Sequence, residues 1–372
     1  MKNLRIAVVG AGRLGGFHAQ KLAARKDVEL LAIVDPLAAN RERVAAECHT
    51  AARADCADLL GQLDAAVIAA PTTLHHHIAR RLLDAGVHLL VEKPLCSTQS
   101  EADELVAIAK RHGATLQVGH VERFNPAFHA AADALRAPKY IEATRTSGFT
   151  FRSTDVGVVL DVMIHDIDLV LSMVRSPVRK VEALGFSVLG GHEDVANARI
   201  EFESGCVASL SASRVSYEQI RRMQVWSADG FAAVDFAART TTLVRPSETL
   251  RRRAFDVAAL LPAQVDYFRQ HFAEEHLPKE TRTFDAVDAL ALEQDDFIES
   301  IRGARQPRVT GEAGRDALAV AEQILARING HCWDATLDGP TGPLGLHRPH
   351  VIPSPHFTRA AATAPALRER AS

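Results

Sequence analysis

The sequence lacks the features of a membrane-bound or nucleic-acid-binding protein. Its first residues, MKNLRIAVVG, enter a polar turn before an apolar run can reach the length of a signal peptide or a membrane span. Neither charge dominates, because 43 Lys and Arg stand against 46 Asp and Glu, a formal net charge of -3. No basic surface for nucleic acid is therefore expected. These observations predict a cytoplasmic protein with no nucleic acid and no membrane among its partners.

Cysteines are few, odd in number and without CxxC spacing, which favours free buried thiols in a reducing compartment over disulfides or a zinc site. They are Cys48, Cys56, Cys96, Cys206 and Cys332. The adjacent His75, His76 and His77 have no Cys, Asp or Glu at ligand spacing, so no metal is expected. The sequence also has no GxSxG motif, no paired-carboxylate glycosidase pattern and no P-loop.

The length of 372 residues favours two domains. Up to about residue 120, short apolar runs alternate with amphipathic stretches, which predicts a Rossmann-type doubly wound parallel sheet with helices on both faces. The predicted strands are 4–9, 29–34, 65–69, 87–91 and 115–118, and the predicted helices are 14–24, 38–47, 74–84 and 99–112.

The second half has a different rhythm, because several strand patterns follow one another with few helices between them. This predicts an α+β domain with a large, open, mostly antiparallel sheet. Its predicted strands are 139–146, 178–189, 196–202, 207–214, 222–227 and 232–236. One predicted helix begins at Pro126, and the other three span 155–173, 286–301 and 312–328. Residues 246–283 are charged and irregular and are interpreted as an insertion or as an excursion of loop and helix. The expected division is 1–121 for the cofactor domain, 122–335 for the substrate domain, and 336–372 for a Pro- and Ala-rich tail.

The glycine motif Gly10-Ala11-Gly12-Arg13-Leu14-Gly15 follows the first strand and opens the first helix. In that context the glycines allow a tight turn, close approach of a pyrophosphate, and close packing of helix on strand. The helix N-terminus then presents free N–H groups to the phosphates. We expect Gly10, Gly12, Arg13, Leu14 and Gly15 to hold a dinucleotide.

Asp35 ends the second strand, 20 residues after Gly15. A carboxylate there accepts the two ribose hydroxyls of adenosine and repels a 2′-phosphate, and no arginine follows before Arg41. The sequence therefore predicts NAD rather than NADP. Asp35 also suits the N-terminal cap of the following helix, and the two roles are compatible.

Glu92-Lys93-Pro94 ends the 87–91 strand, at the edge of the sheet where ligands bind. Together with the glycine motif, Asp35 and the segment Ala70-Pro71-Thr72 with His75, it resembles the glucose–fructose oxidoreductase, inositol dehydrogenase and rhizopine-catabolism family. The resemblance covers residues 4 to 330. It implies that Lys93 is catalytic, and that Pro71, Thr72, His75, Glu92 and Lys93 lie at the cofactor.

Asp161 and His165 are four residues apart on a predicted helix, hence on one face and within reach of each other. The same family carries an aspartate and a histidine at this spacing in its active site. We expect Asp161 to orient His165, and His165 to act as the proton acceptor. The alternative from the residues alone is an ion-paired Asp161 and an interior His165.

Further substrate candidates lie in the second domain. Arg123 and Asn125 are compatible with either substrate contact or a tie between domains. Arg152, Ser153, Thr154 and Arg214 carry guanidinium and hydroxyl groups that suit a diphosphate, although arginines on sheets are usually solvated.

The segments QVGHVERFNP, FRSTDVGVVLDVMIHDIDLVLS, HEDVANARIEFESG and SASRVS resemble the subgroup that oxidises the C3 hydroxyl of UDP-N-acetylglucosamine in lipid A biosynthesis. This implies a nucleotide-sugar substrate and a 3-keto product for an aminotransferase. The alternatives are another sugar, an inositol or a nucleotide uronic acid as substrate, or a non-catalytic NAD-binding co-regulator. An uncovered, broadly apolar sheet face is expected to form a homodimer or homotetramer.

Overall fold

The computed structural model describes residues 3–151, 155–189 and 191–331. The predicted tail and Cys332 therefore lie outside the described residues, as do Arg152, Ser153 and Thr154. The other four cysteines are buried free thiols. Within the described ranges, none of the helices has both the length and the apolar character needed to cross a membrane.

The first sheet has six parallel strands in the order β3-β2-β1-β4-β5-β6. The strands are β1 (Leu4–Val9), β2 (Val28–Val34), β3 (Ala51–Arg53), β4 (Ala65–Ile68), β5 (His88–Glu92) and β6 (Leu116–Gly119). The connecting helices are α1 (Arg13–Ala23), α2 (Ala38–Glu47), α3 (Thr72–Asp84) and α4 (Gln99–His112). All four residues of β4 are buried, as expected for a strand covered on both faces. The chain order reverses between β1 and β4, which opens a crevice at their carboxyl ends.

The second sheet has eight strands in the order β14-β13-β12-β11-β7-β10-β9-β8. They are β7 (Tyr140–Thr146), β8 (Val178–Phe186), β9 (Val195–Phe202), β10 (Val207–Ser213), β11 (Ile220–Ser227), β12 (Gly230–Asp235), β13 (Thr240–Val244) and β14 (Lys279–Thr283). Only the β7–β10 pair in this sheet is parallel. The two architectures confirm the predicted fold class.

Helices of the second half include α5 (Pro126–Ala134), α6 (Ile164–Val174), α7 (Glu248–Arg251), α8 (Pro262–His276), α9 (Ala289–Gly303) and α10 (Gly311–Asn329). The expected N-cap is present, since the Thr310 hydroxyl accepts from the Ala313 N–H. One turn of π-helix, Val159–Met163, precedes α6 where a continuous α-helix was predicted. Such turns occur frequently at functional sites.

Three strands of the structure were not predicted from the sequence. β3 has only three residues, and β13 is short and rich in threonine. β14 lies within the presumed insertion, and its five residues are all exposed, so no apolar alternation marks it. It is recognisable only from its pairing with β13.

Helix α10 ties the two sheets together, because it packs on α4 of the first half and on α6 and β8 of the second. Its glycines permit a close approach to β6. A Cβ at Gly311 would lie 2.6 Å from the Leu116 side chain, and one at Gly314 would lie 2.5 Å from Val118. The hydrophobic core consequently runs without a break from the first sheet to the second.

The outer face of the second sheet is not the broad apolar surface that was expected. Strands β9 and β10 bury alanines and larger apolar residues on one side and place polar residues, such as Asn197 and Ser211, on the other. That side also carries an aromatic group. The Trp226 ring lies 5.1 Å from the Tyr140 ring and 5.0 Å from the Phe231 ring.

Candidate active site

The glycine loop between β1 and α1 borders a cleft of about 870 Å³. Gly10 has φ +103°, and a Cβ there would lie 2.4 Å from the Ala69 carbonyl oxygen, while a Cβ at Gly15 would lie 1.8 Å from that of Gly10. Any side chain at either position would therefore disrupt the turn. Gly12 is different: a Cβ there would meet nothing within 4 Å among the residues described. It is the N-cap of α1 without a side-chain cap, so the backbone N–H groups are left for a phosphate.

Most of the predicted cofactor residues line this cleft. They are Gly10, Gly12, Arg13, Leu14, Asp35, Pro71, Thr72, Glu92 and Lys93. Gly15 lies beneath the loop. His75 was expected to approach the nicotinamide, but it is buried, with Nδ1 2.9 Å from the Pro94 carbonyl oxygen and Nε2 2.8 Å from that of Ala70. Burial lowers the pKa of His75, against the raising effect of these two carbonyls. His75 therefore supports the cleft wall from behind.

Asp35 is buried at the end of β2 and holds the glycine loop in place. Its Oδ2 accepts from the Ala11 N–H and its Oδ1 from the Leu37 N–H, each at 2.8 Å. Each carboxylate oxygen has a further lone pair, which suits a pair of ribose hydroxyls. Arg41 is directed to the backbone, since its Nη1 donates to the carbonyls of Asp35 and Pro36.

Lys93 follows β5 and meets the π turn across the cleft. Its Nζ donates to the Asp161 backbone oxygen at 2.6 Å and to Asp161 Oδ1 at 3.0 Å. Both side chains are partly buried, at 16% and 24% exposure, and both residues line the cleft. The pair joins the end of the cofactor sheet to the π turn of the second half.

The predicted contact between Asp161 and His165 is wrong. Asp161 is turned to Lys93, since a charged ammonium is a stronger partner for a carboxylate than a neutral imidazole is. Within the described residues, His165 Nδ1 is buried without a hydrogen-bond partner. Burial first, and then the charges of Lys93 and Arg145, hold the pKa of His165 well below its ordinary value of 6.5. His165 is therefore neutral at physiological pH, as a proton acceptor must be.

Behind His165 lies an ion-pair network that was not predicted from the sequence. Arg145 on β7 donates from Nη2 to Asp166 Oδ1 and from Nη1 to Glu122 Oε1, both at 2.8 Å. Burial alone would lower the pKa of Arg145, but the two carboxylates raise it above its ordinary value. The network fixes α6 against β7, and with it the backbone that carries His165. The signal available in the sequence was Arg145 itself, because an arginine within a predicted strand needs a charged partner if it is buried.

Neither Arg123 nor Asn125 lines the cleft. Arg123 Nη2 donates to the Arg308 carbonyl, and its Nε lies 3.6 Å from Asp168 Oδ2. Asn125 caps α5 by accepting from the Ala127 N–H. These partners all lie within residues 122–335, so the contacts support neither the substrate role nor the tie between domains.

Arg214 is buried rather than available to a diphosphate. Its Nε donates to Asp194 Oδ1 and its Nη1 to the Val156 carbonyl, both at 2.7 Å. The neighbouring Glu193 accepts from the Val159 N–H and lies where a Cβ on Gly157 would collide with it. Arg214, Asp194 and Glu193 thus hold the segment that leads into the π turn. The sequence marks this loop only by the segment HEDVAN.

Glu92 lines the cleft and also interacts with buried residues beneath it. Its Oε1 lies 2.8 Å from His18 Nε2, while Gln294 Nε2 lies 2.9 Å from His18 Nδ1 and donates to the His18 carbonyl. This orientation of the amide gives His18 an Nε2–H that donates to Glu92. Fully buried Glu293 lies beside them, and no described residue hydrogen-bonds its carboxyl oxygens.

Comparison with known proteins adds a second kind of evidence. The model of an oxidoreductase family with an NAD-binding Rossmann fold matches residues 4–120, and that of the GFO/IDH/MocA C-terminal domain matches residues 117–233. A UDP-N-acetylglucosamine 3-dehydrogenase from Acidithiobacillus ferrooxidans is 35% identical over 88% of this chain and 98% of that protein. The chain belongs to the Gfo/Idh/MocA family.

The solved structure of that Acidithiobacillus enzyme superposes with a TM-score of 0.76, again over 88% of this chain and 98% of the other. A scyllo-inositol 2-dehydrogenase of Bacillus subtilis is 27% identical over 82% of this chain and 89% of its own. GenD2 from gentamicin A biosynthesis, solved in complex with NAD, shares the fold at 20% identity, with a TM-score of 0.71 over 88% and 94% of the two chains. The chain is thus an NAD-dependent oxidoreductase of the Gfo/Idh/MocA family.

Proposed function

We propose that this protein oxidises the C3 hydroxyl of UDP-N-acetylglucosamine to a ketone with NAD as oxidant. The observation that carries the chemistry is the meeting of Lys93 and Asp161 at the carboxyl end of β5, with His165 one turn further along. The substrate rests on the 35% identity with a UDP-N-acetylglucosamine 3-dehydrogenase over nearly its full length. The product would feed a 3-aminotransferase of lipid A biosynthesis in the cytoplasm.

Lys93 is proposed to bind the oxygen of the reacting hydroxyl. An ammonium has three N–H donors, and among the described contacts two of them go to Asp161. The third is available to a substrate oxygen, and the positive charge stabilises the negative charge that develops on it. Asp161 fixes the direction of the ammonium from the opposite wall of the cleft.

His165 is proposed to take the hydroxyl proton. Its Nδ1 is buried, so Nε2 is the ring nitrogen left to face the substrate. Because its surroundings oppose protonation, the ring is in its basic form before the reaction. When bound, NAD supplies the hydride acceptor.

Purified protein should be incubated with NAD and, in separate reactions, with UDP-N-acetylglucosamine, UDP-N-acetylgalactosamine, UDP-glucose, a UDP-uronic acid and myo-inositol. NADH absorbance reports turnover, and a 3-aminotransferase with an amino donor captures the 3-keto product. We expect UDP-N-acetylglucosamine to give the highest kcat/KM.

Lys93→Met is the variant that should lose activity, and Lys110→Met on the exposed face of α4 is its matched control. A preference for inositol would reassign the substrate. NAD binding without turnover of any compound in the panel would instead identify a co-regulator.

A further inference from the structure

His120 is a buried histidine that the proposed reaction does not yet use. It follows the last residue of β6, and its side chain is 1% exposed. Neither of its ring nitrogens has a hydrogen-bond partner anywhere in 3–151, 155–189 or 191–331. A buried polar group that lacks a partner destabilises the fold, so its presence calls for a reason.

The nearest ring to His120 is that of His165. The two ring centroids lie 6.3 Å apart, and the rings are nearly perpendicular, at 88°. This separation is too long for a direct hydrogen bond and suits one bridging water. His165 can accept a proton at Nε2 only if its own hydrogen is on Nδ1, the buried nitrogen. That N–H needs an acceptor, and His120 carries the imidazole whose ring lies 6.3 Å from that of His165.

The charges around the two rings differ. The main charged groups acting on His165 are Lys93, Arg145, His120 and Arg221, and all of them oppose its protonation. Burial lowers the pKa of His120 as well; among its charged neighbours Asp168 acts most strongly and favours protonation, Lys93 and Arg123 oppose it, and Glu92 favours it more weakly. Both rings are therefore neutral before the reaction, so His120 can offer an unprotonated nitrogen as an acceptor.

We propose that His120 is a positioning residue for His165, which accepts the Nδ1 hydrogen of His165 through one water and so sets its tautomer. This inference rests on the proposed function. NAD, when bound, would take the C–H hydride, and the hydroxyl proton binds His165 Nε2. The products are the ketone, NADH and a His165 imidazolium, which returns its proton to solvent after product release.

The first test compares His120→Gln with wild type and with His88→Gln, a partly buried histidine at the opposite end of β5. We expect His120→Gln to bind NAD normally and to lose roughly tenfold or more in kcat. The acid limb of kcat/KM should move to higher pH, because the charge that His120 gains at low pH no longer opposes protonation of His165. His120→Ala should regain activity with added imidazole, and His88→Gln should match wild type. An unchanged kcat and acid limb in His120→Gln would overturn the proposal.

The second test needs no substrate, so it separates this inference from the proposed function. Ring 15N–1H spectra of the NAD-bound protein report the tautomer and titration of each histidine. We expect the hydrogen of His165 on Nδ1 in wild type, and a mixture of tautomers with a higher titration midpoint in His120→Gln. Should His120→Gln fail to fold, His120→Asn takes its place. Identical His165 spectra in wild type and variant would contradict the proposal, whatever substrate the enzyme uses.

Discussion

Lys93 and Asp161 are bonded twice, through the carboxylate and through the backbone oxygen of Asp161. They are 68 positions apart in the chain, so the contact exists only because β5 and the π turn meet at the mouth of the cleft. It closes the reaction site between the two halves of the protein. The arrangement leads to predictions that distinguish the roles of its members.

Asp35→Ala should weaken NAD binding and relax the exclusion of NADP. Each charged hydrogen bond to a ribose hydroxyl is worth about 1.5–3 kcal/mol, so we expect at least about a tenfold rise in the KM for NAD. Steady-state kinetics with both cofactors measure this. Asp35→Asn keeps one acceptor for the loop and should have a smaller effect. Wild-type protein that already prefers NADP would refute the assignment of Asp35.

His165→Ala and Lys93→Met should each reduce kcat by roughly 10²–10⁴-fold, the usual range for a positioned acid–base group. The double variant should be little slower than either single one, because groups that act on the same hydroxyl are not additive. NAD affinity in His165→Ala should be unchanged, since the residue lies outside the cofactor sheet. Near-normal turnover in His165→Ala would leave Lys93 as the proton acceptor.

Asp161→Asn should lower kcat less than Lys93→Met does, because the amide oxygen still accepts from the ammonium but the charge is lost. Since Asp161 contacts Lys93 rather than His165, the acid limb of kcat/KM should stay in place. A pH–rate profile measures both effects. A limb shifted to lower pH would mean that the charge of Asp161 acts on His165 in the free enzyme.

Glu293→Gln should stabilise the protein, increasingly so as the pH rises. Burial and the charge of Glu92 raise the pKa of Glu293 well above its ordinary value of 4.5. The folded protein therefore retains a proton that the unfolded chain releases, so stability is full below pH 4.5 and falls as the pH approaches the folded pKa. Thermal unfolding from pH 5 to 8 should show a growing gap over wild type. Glu299→Gln, exposed on the same helix, should show none.

The protein is expected to form a homodimer or homotetramer through the outer face of the second sheet. The aromatic group of Tyr140, Trp226 and Phe231 gives that face an apolar centre. Light scattering at micromolar concentration should show the assembly, and Trp226→Glu should weaken it. Tyr217→Glu, at a fully exposed tyrosine, is the control. A monomeric wild type would remove this prediction.

Local signals predicted the cofactor half well. The constraints on Gly10 and Gly15 are backbone constraints within one turn, and Asp35 ends a strand whose apolar run is unmistakable. The sequence also placed Lys93 and Asp161 in the cleft. Strand β14 was missed because its residues carry no apolar alternation.

Contacts between residues far apart in the chain could not be predicted from the sequence. Four-residue spacing predicted His165 as the partner of Asp161, whereas the packing of the two halves brought Lys93 to it. Arg214 was assigned to a ligand because nothing in the chain marks Asp194 as its neighbour. The two nitrogens of His120 and Nδ1 of His165, which have no hydrogen-bond partner in the part of the chain that the structure describes, are likewise a property of the packed interior.

The close seating of α10 on β6 restricts how members of this family can be recombined. An exchange of the first 120 residues between two relatives would transfer Leu116 and Val118 but leave behind Gly311 and Gly314, on which they rest. A hybrid whose helix carried larger residues at these two positions would force the strand and helix apart. Gene shuffling that aims to graft one cofactor half onto another substrate half must therefore move both pieces together.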